Sequence, residues 1–287
     1  MIDIVVILFF EYGRLGNQLF QYAALKELYP KHHLVFFGCR SLKKVLSKVD
    51  ATIVERERVP RSIMLGLLKL LNLLASFRII GVISEERGNL SYLIKTKYGL
   101  LQSIFLLKLA FFQHEVILRE LSPEFSLSNE LIDLASNWLG KKKIAIQEAS
   151  LTFVHIRRGD YLSWPSRDYP AVLDKAWYIR AMNQIRTKIQ NPKFLIVTDD
   201  IFYARDCFGQ ESDVFISDND QFVDLALMSL CSHGILSASS FAWWGAWFSM
   251  RNNDDHSIYI APKYWGGHRK REWMPEGFIA NWLVYLE

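Results

Sequence analysis

The stretch "SLTFVHIRRGDY", residues 150–161, begins as an apolar run and ends in His155, Arg157, Arg158 and Asp160. The first seven residues read as a buried strand, and charge at the end of such a strand asks for a partner. Arginine presents a planar fork of donors that matches phosphate oxygens, and burying one without an anion is costly. Two readings stand open on these residues alone: an internal ion pair of Arg158 with Asp160 or another carboxylate, or a grip on a phosphate. The tripeptide "RGD" as an adhesion signal would need an exposed loop, whereas here it terminates a strand.

Outward from this stretch the pattern repeats. "KFLIVTDD", "DVFISD", "HGILSAS" and "SIYIAP" read as further short strands, with helical stretches near 174–190, 200–207, 221–231, 241–251 and 276–286. Strands alternating with helices imply a parallel sheet covered on both faces. Each of the first four strands ends in polar residues: His155–Asp160, Thr198–Asp200, Ser217–Asp220 and Ser237–Ser240. Ligands of such sheets sit beyond the carboxyl ends of the strands, where strand order reverses.

The first half opens in the same way. "DIVVILFF" reads as a strand, followed by a glycine turn and a helix, "EYGRLGNQLFQYAALKELY". Residues 50–150 are apolar helices and basic connections without a visible repeat. The basic "GKKKIAI" is the best place for a boundary, giving domains 1–145 and 146–287. The run "IMLGLLKLLNLLASFRIIGVI", residues 63–83, is long enough to span a bilayer, but Lys69 and Arg78 oppose insertion. A core helix is the expectation, an interfacial membrane helix the next reading and a true span the last.

Composition narrows the class. The chain has 287 residues, 51% hydrophobic and 14% aromatic, enough for a well-filled core and against disorder. Cys39, Cys207 and Cys231 are scattered and make neither a disulfide framework nor a CxxC metal spacing, which favours a reducing compartment. The net charge of +4 is uneven, with 20 Lys and Arg against 14 Asp and Glu in residues 1–150, then 14 against 16 in the rest. That excess is too diffuse for nucleic acid and suits a phosphate-bearing ligand or an anionic membrane surface. The opening "MIDIVVILFF" has no basic n-region and no small-residue cleavage site, so a first strand is preferred to a signal peptide.

Three further motifs complete the inventory. Gly13-Arg14-Leu15-Gly16-Asn17-Gln18 meets neither the dinucleotide nor the Walker pattern. Asn17 and Gln18 can be helix caps or ligand contacts. Ser239 and Ser240 stand where a strand gives way to a helix, where hydroxyls and backbone N–H groups hold a phosphate or serve as a plain cap. Trp243, Trp244 and Trp247 behind them read as core. Asp199-Asp200 and Asp218-Asn219-Asp220 have the look of a metal pair, but Asp is also a cap and turn residue, and no metal is expected. Asp224 lies within the apolar "FVDLALMSL" and needs a donor partner.

Together "GRLGNQLFQYA" (13–23), "VHIRRGDY" (154–161), "IVTDD" (196–200) and "SASSFAWWGAWF" (237–248) resemble the α-1,2-fucosyltransferases of bacteria and animals, glycosyltransferase family eleven. "AFFQHE" (110–115) and "APKYWGG" (261–267) are weaker likenesses. The resemblance implies an α/β fold of GT-B type, two Rossmann-like domains facing across a cleft. The N-terminal domain would be the acceptor side and the C-terminal one would bind the donor, GDP-β-L-fucose. It also implies inversion at the anomeric carbon and no cofactor or required metal. By position, Arg157 would grip the β-phosphate of the leaving GDP, and His155 and Asp224 would hold the guanosine. Ser239 and Ser240 would meet the diphosphate, and Arg14 and Asn17 would face the fucose. Arg158 and Asp160 would brace this arrangement, with Asp160 also a candidate base. Arg14 stands where the family turn usually has Gly, Ala238 where Asn is common, and Ala242 where Ser is.

The expectation is therefore an enzyme that transfers fucose to the 2-hydroxyl of a terminal galactose in a bacterial surface glycan, with a lipid-linked acceptor as one option. It would be cytoplasmic, either free or peripheral on the inner face of the plasma membrane. The alternatives are a fucosyltransferase of another linkage and a GDP-sugar-binding protein without turnover.

Overall fold

The computed structural model describes residues 5–87, 92–108, 110–113, 125–144, 150–253, 256–276 and 278–287. The chain divides into two compact units, Met1–Ser126 and Leu127–Glu287. The boundary read from the basic "GKKKIAI", between residues 145 and 146, lies outside the described residues. Helix α4 (Asn129–Lys141) packs on α7 (Gln221–Ser229) and so belongs to the second unit.

The second unit carries the opening stretch. Strand β7 (Leu151–Ile156) is buried along its whole length, as a strand with helices on both faces must be. It pairs in parallel with β8 (Lys193–Thr198) and β10 (His233–Ile235). With β9 (Val214–Ile216), β11 (Tyr259–Pro262) and β12 (Leu283–Leu286) the sheet runs β9-β8-β7-β10-β11-β12. Since β7 is the first strand of its unit, this is the doubly wound order 3-2-1-4-5-6, which reverses between β7 and β10. One face packs Val154, Ile156, Phe194 and Ile196 against Trp177, Tyr178, Met182 and Ile185 of α5 (Lys175–Lys188). Trp243, Trp244, Trp247 and Phe248 of α8 (Ser240–Asn252) are buried, in line with a core role.

Each helix of this unit from α5 onward begins at a side-chain cap, which satisfies N–H groups that have no partner inside the helix. Asp174 accepts from Trp177 N–H at 2.8 Å, and Asp200 from Tyr203 N–H at 3.0 Å to start α6 (Ile201–Phe208). Asp220 accepts from Phe222 and Val223 N–H at 2.9 and 3.0 Å to start α7. The helix expected over 276–286 is instead a turn followed by β12, paired in parallel with β11. The run Leu283-Val284-Tyr285-Leu286 is aliphatic and aromatic, and extending the open sheet edge satisfies its backbone.

In the first unit β1 (Val6–Phe10) lies between β2 (His33–Phe37) and β6 (Leu101–Leu107) in the order β3-β2-β1-β6-β4-β5. Here β3 is Thr52–Val54, β4 Ile80–Arg87 and β5 Tyr92–Lys97, the last pair antiparallel. Helix α1 (Leu15–Leu28) follows β1, and a short α2 (Ser41–Val45) follows β2. The apolar run 63–83 is not one helix. Helix α3 (Arg61–Ser76) ends with Arg78 in the left-handed region, φ +56°, and the Ile79 N–H bonded to the Leu74 carbonyl, after which β4 begins. No helix among the described residues is long and apolar enough to cross a membrane. The core-helix expectation holds for one face only: Met64 and Leu71 are buried, while Ile63, Leu70, Leu73 and Phe77 are exposed.

Candidate active site at the carboxyl edge of the second sheet

The chain leaves β7 at the reversal point of the sheet, and its charged residues are tied down there. Arg157 Nη1 lies 3.0 Å from Asp199 Oδ2 and its Nη2 2.5 Å from Asp160 Oδ1. Arg158 Nε donates to Asp200 Oδ2 at 3.0 Å, and its guanidinium lies 3.7 Å from the centre of the Tyr203 ring. Asp199 also accepts the Arg158 backbone N–H at 2.8 Å. The registry makes this possible: Ile156 of β7 pairs with Thr198 of β8, so the basic and acidic ends of two parallel strands emerge side by side. A Cβ at Gly159 would come within 2.6 Å of Asp199 Oδ2, so a side chain there would push Asp199 from its place beside Arg157. Arg157 is 14% exposed, and both ends of its fork are held by carboxylates.

Across the reversal stands the end of β10. His155 is buried, and its Nδ1 lies 2.7 Å from Ser237 Oγ. Burial pulls its pKa down to about 4, with Asp199 opposing weakly, so the ring is neutral at pH 7. Ser239 caps α8, its Oγ accepting from Phe241 N–H at 3.3 Å, and half-buried Ser240 is the first residue of that helix. Tyr161 closes the gap: its hydroxyl donates to the Ala238 carbonyl at 2.7 Å and its ring lies 5.5 Å from the Arg157 guanidinium. Burial pushes the Tyr161 phenol up, keeping it a donor.

Asp224 lies further along the same edge, on α7 after β9. Its Oδ1 accepts from Ser217 Oγ at 2.5 Å. Desolvation, aided by Asp220 and Asp218, pushes its pKa up to about 7 against the opposing Ser217 bond. The structure therefore brings together His155, Arg157, Arg158, Asp160, Ser239 and the start of α8. Asp224 stands apart, since β8 lies between β7 and β9 in the sheet order.

Arg14 and Asn17 belong to the first unit. Gly13 has φ +83°, and a Cβ on it would meet Asn17 Nδ2 at 2.5 Å, which explains why glycine precedes this asparagine by four. Arg14 is exposed and is itself the residue before α1. Asn17 and Gln18 lie inside α1, so the reading of them as caps is corrected: the Asn17 N–H is already bonded to the Arg14 carbonyl at 2.9 Å. Gln18 Nε2 instead donates to Glu11 at 2.7 Å and to the Gly13 carbonyl at 3.3 Å. Asn17 Oδ1 accepts from Gln113 at 2.9 Å, within the "AFFQHE" segment whose last two residues are outside the described ones.

The acidic pairs have other duties. Asp199 and Asp200 face the arginines, Asp220 caps α7, and Asp218 accepts from Trp138 Nε1 at 3.0 Å. Among the described residues no cluster of three His, Cys, Asp or Glu is placed to hold a metal ion. Asp199, Asp200, Tyr161, Tyr203 and Ser237 also belong to this cluster and were not expected in it. A signal existed for the first two: two basic and two acidic residues at the same ends of consecutive parallel strands will meet.

Beyond this geometry, the chain matches the model of glycosyl transferase family 11 over residues 9–287. It belongs to that family and is a glycosyltransferase. It is 26% identical over 301 residues to the O-antigen biosynthesis glycosyltransferase WbnK of Escherichia coli, covering 93% of this chain and 97% of that protein. An alpha-1,2-colitosyltransferase of Escherichia coli is 32% identical over 161 residues, 54% of this chain and 52% of the other. Galactoside alpha-(1,2)-fucosyltransferase 1 of Plecturocebus brunneus is 26% identical over 87% of this chain and 66% of its own length. Among solved structures, fucosyltransferase NodZ from Bradyrhizobium superposes with a TM-score of 0.51 at 13% identity, over 85% of this chain and 92% of that one. A family 9 glycosyl transferase from Veillonella parvula gives 0.55 at 11% identity, over 100% and 88%. At such identities the likeness speaks for the fold: two α/β units built on mainly parallel sheets.

Proposed function

We propose that this chain transfers L-fucose from GDP-β-L-fucose to the 2-hydroxyl of a terminal galactose, with inversion and without a metal ion. The observation that carries the reading is Arg157: a guanidinium fixed by two carboxylates at the reversal point of a doubly wound sheet, in a family 11 chain. As GDP departs, negative charge grows on the β-phosphate, and a donor fork already in position stabilises charge where it develops. Ser239, Ser240 and the N–H groups at the start of α8 would meet the other phosphate oxygens. His155, neutral and held by Ser237, and Asp224 would hold the guanosine.

Arg158 is committed to Asp200 and Tyr203, which favours a bracing role. Asp160 is bonded to Arg157; as a candidate base it would have to exchange that partner for the acceptor hydroxyl. The two units would face each other across a cleft in the GT-B manner, Arg14 and Asn17 meeting the fucose. The acceptor would be a galactose-terminated O-antigen or surface glycan, lipid-linked and met on the cytoplasmic side of the membrane.

Purified protein incubated with GDP-fucose and a panel of galactosides tests this reading, with product linkage assigned by NMR. An α-1,2-linked product is expected, without loss of rate in a chelator. GDP-fucose bound but not turned over on any acceptor would make the chain a binding protein, and another linkage would refute the regiochemistry. The colitosyltransferase among the relatives favours one further reading, so the donor panel includes a colitose donor.

A further inference from the structure

We infer that the outer face of α3, with the β5–β6 turn beside its end, docks on an anionic lipid surface. Ile63, Leu70, Leu73 and Phe77 are 59%, 50%, 53% and 70% exposed, and their spacing of seven, three and four places them in one stripe along the helix. The neighbouring stripe, roughly a quarter-turn round the helix, is Met64, Leu67, Leu71, Leu74 and Ala75, and it faces the core with Ile80 and Leu106. Such a helix has apolar residues on two sides and a core on one. At its C-terminal end Leu100 and Leu101 donate their N–H groups to the Arg78 and Ile79 carbonyls, both at 2.7 Å. The turn there adds Tyr98 and Leu100, 70% and 82% exposed.

Two observations say what covers this face. Two of its polar side chains already donate within the helix, Asn72 to the Leu68 carbonyl at 2.8 Å and Ser76 to the Leu73 carbonyl at 2.7 Å. Loss of water therefore costs them little. Its charge is of one sign, because Arg61, Lys69, Arg78 and, by the turn, Lys97 are exposed while residues 59–84 contain no Asp or Glu. A second copy would bring like charge against like. A ridge of apolar side chains rimmed by cations fits the headgroup region of an anionic bilayer, where the apolar stripe sinks into the acyl boundary and the cations meet phosphates.

Co-sedimentation of the full chain with phosphatidylcholine vesicles, with and without phosphatidylglycerol, tests the inference independently of any transfer activity. Wild type should pellet with the anionic vesicles and remain in solution with the neutral ones. The exposed triple substitution Leu70→Ser, Leu73→Ser, Phe77→Ser should reduce binding by about tenfold or more. Lys69→Glu with Arg78→Glu should weaken it by roughly fivefold or more per charge. Both variants should keep the wild-type circular dichroism and melting temperature. Failure of folded wild type to bind anionic vesicles at low salt overturns the inference, as does binding that survives the triple substitution. A wild-type dimer that the triple substitution turns into a monomer, with no vesicle binding, reassigns the face to self-association.

Discussion

The two units present the same local design, a buried strand, a polar bend and a helix, yet hold their polar ends differently. After β7 the bend is fixed by ion pairs, Arg157 to Asp160 and Asp199, Arg158 to Asp200. After β1 it is held by one carboxylate and two amides: Glu11 accepts from Gln18 and pairs with Arg56 at 3.3 Å, and Gln18 and Gln21 donate to the Gly13 and Ala110 carbonyls. Under the proposed function the second bend would hold a cationic fork ready for a diphosphate, and the carboxylates behind it offset the cost of an unmatched buried charge. The first bend would meet a neutral sugar, and the amides of Gln18 and Gln21 take a larger share in shaping it.

The largest test of that contrast is Arg157→Ala, which should lower kcat by about 10²–10³-fold with the fold intact. Turnover within a few-fold of wild type would remove Arg157 from the phosphate. Asp199→Asn keeps the size of the side chain but loses the ion pair, and should lower kcat by roughly tenfold through misplacement of Arg157. Its KM for donor should change less than its kcat; a pure KM effect would make Asp199 a binding residue. In the other unit Arg14→Ala should act more weakly, a few-fold and mainly on KM, and an effect equal to that of Arg157→Ala would erase the distinction between the two bends.

Ligand binding should also report on Asp224. If guanine N–H groups donate to its carboxylate, binding selects the charged form, so GDP affinity should fall by up to about tenfold per pH unit below 7. An affinity for GDP that is level between pH 5.5 and about 8 would break this assignment.

The smallest effect is on stability. Between about pH 4 and 6.5 unfolded His155 binds a proton that the folded residue does not, so this group makes stability rise with pH. Folded Asp224 binds a proton from its ordinary value of 3.8 up to about 7 that the unfolded residue does not, so it makes stability fall as pH rises. The two slopes oppose each other over their shared range. Asp224→Asn should therefore leave a steeper rise of melting temperature from pH 4 to 6.5 than wild type shows. His155→Gln should make the same slope more negative. Unchanged slopes in both variants would mean that neither group titrates as its surroundings imply.

Much of the second unit was legible because its strands are short apolar runs that end in polar clusters, and that period does not depend on distant contacts. The parallel sheet, its helices and the buried tryptophans followed from this. What escaped depends on partners far apart in sequence. The last strand was read as a helix because its pairing with β11 leaves no local mark. The face of α3 was read as core because an apolar side chain in the sequence does not reveal whether anything covers it. Asp199 was weighed as a metal ligand although the neighbouring arginines were already in view; only the strand registry says that they meet. His155 and Asp224 were singled out correctly as unusual, but their opposite proton preferences come from burial, which a sequence does not print.

The bond from the Tyr161 hydroxyl to the Ala238 carbonyl links the segment after β7 to the segment after β10. It spans the point where the sheet changes direction and so ties the segment of the arginine fork to that of the serine turn. Under the proposed function a diphosphate would enter between walls already tied together, and less of its binding energy would be lost as entropy. Because the acceptor in that bond is a backbone oxygen, the side chain at 238 is spared this duty. Alanine can stand there without loss of that bond.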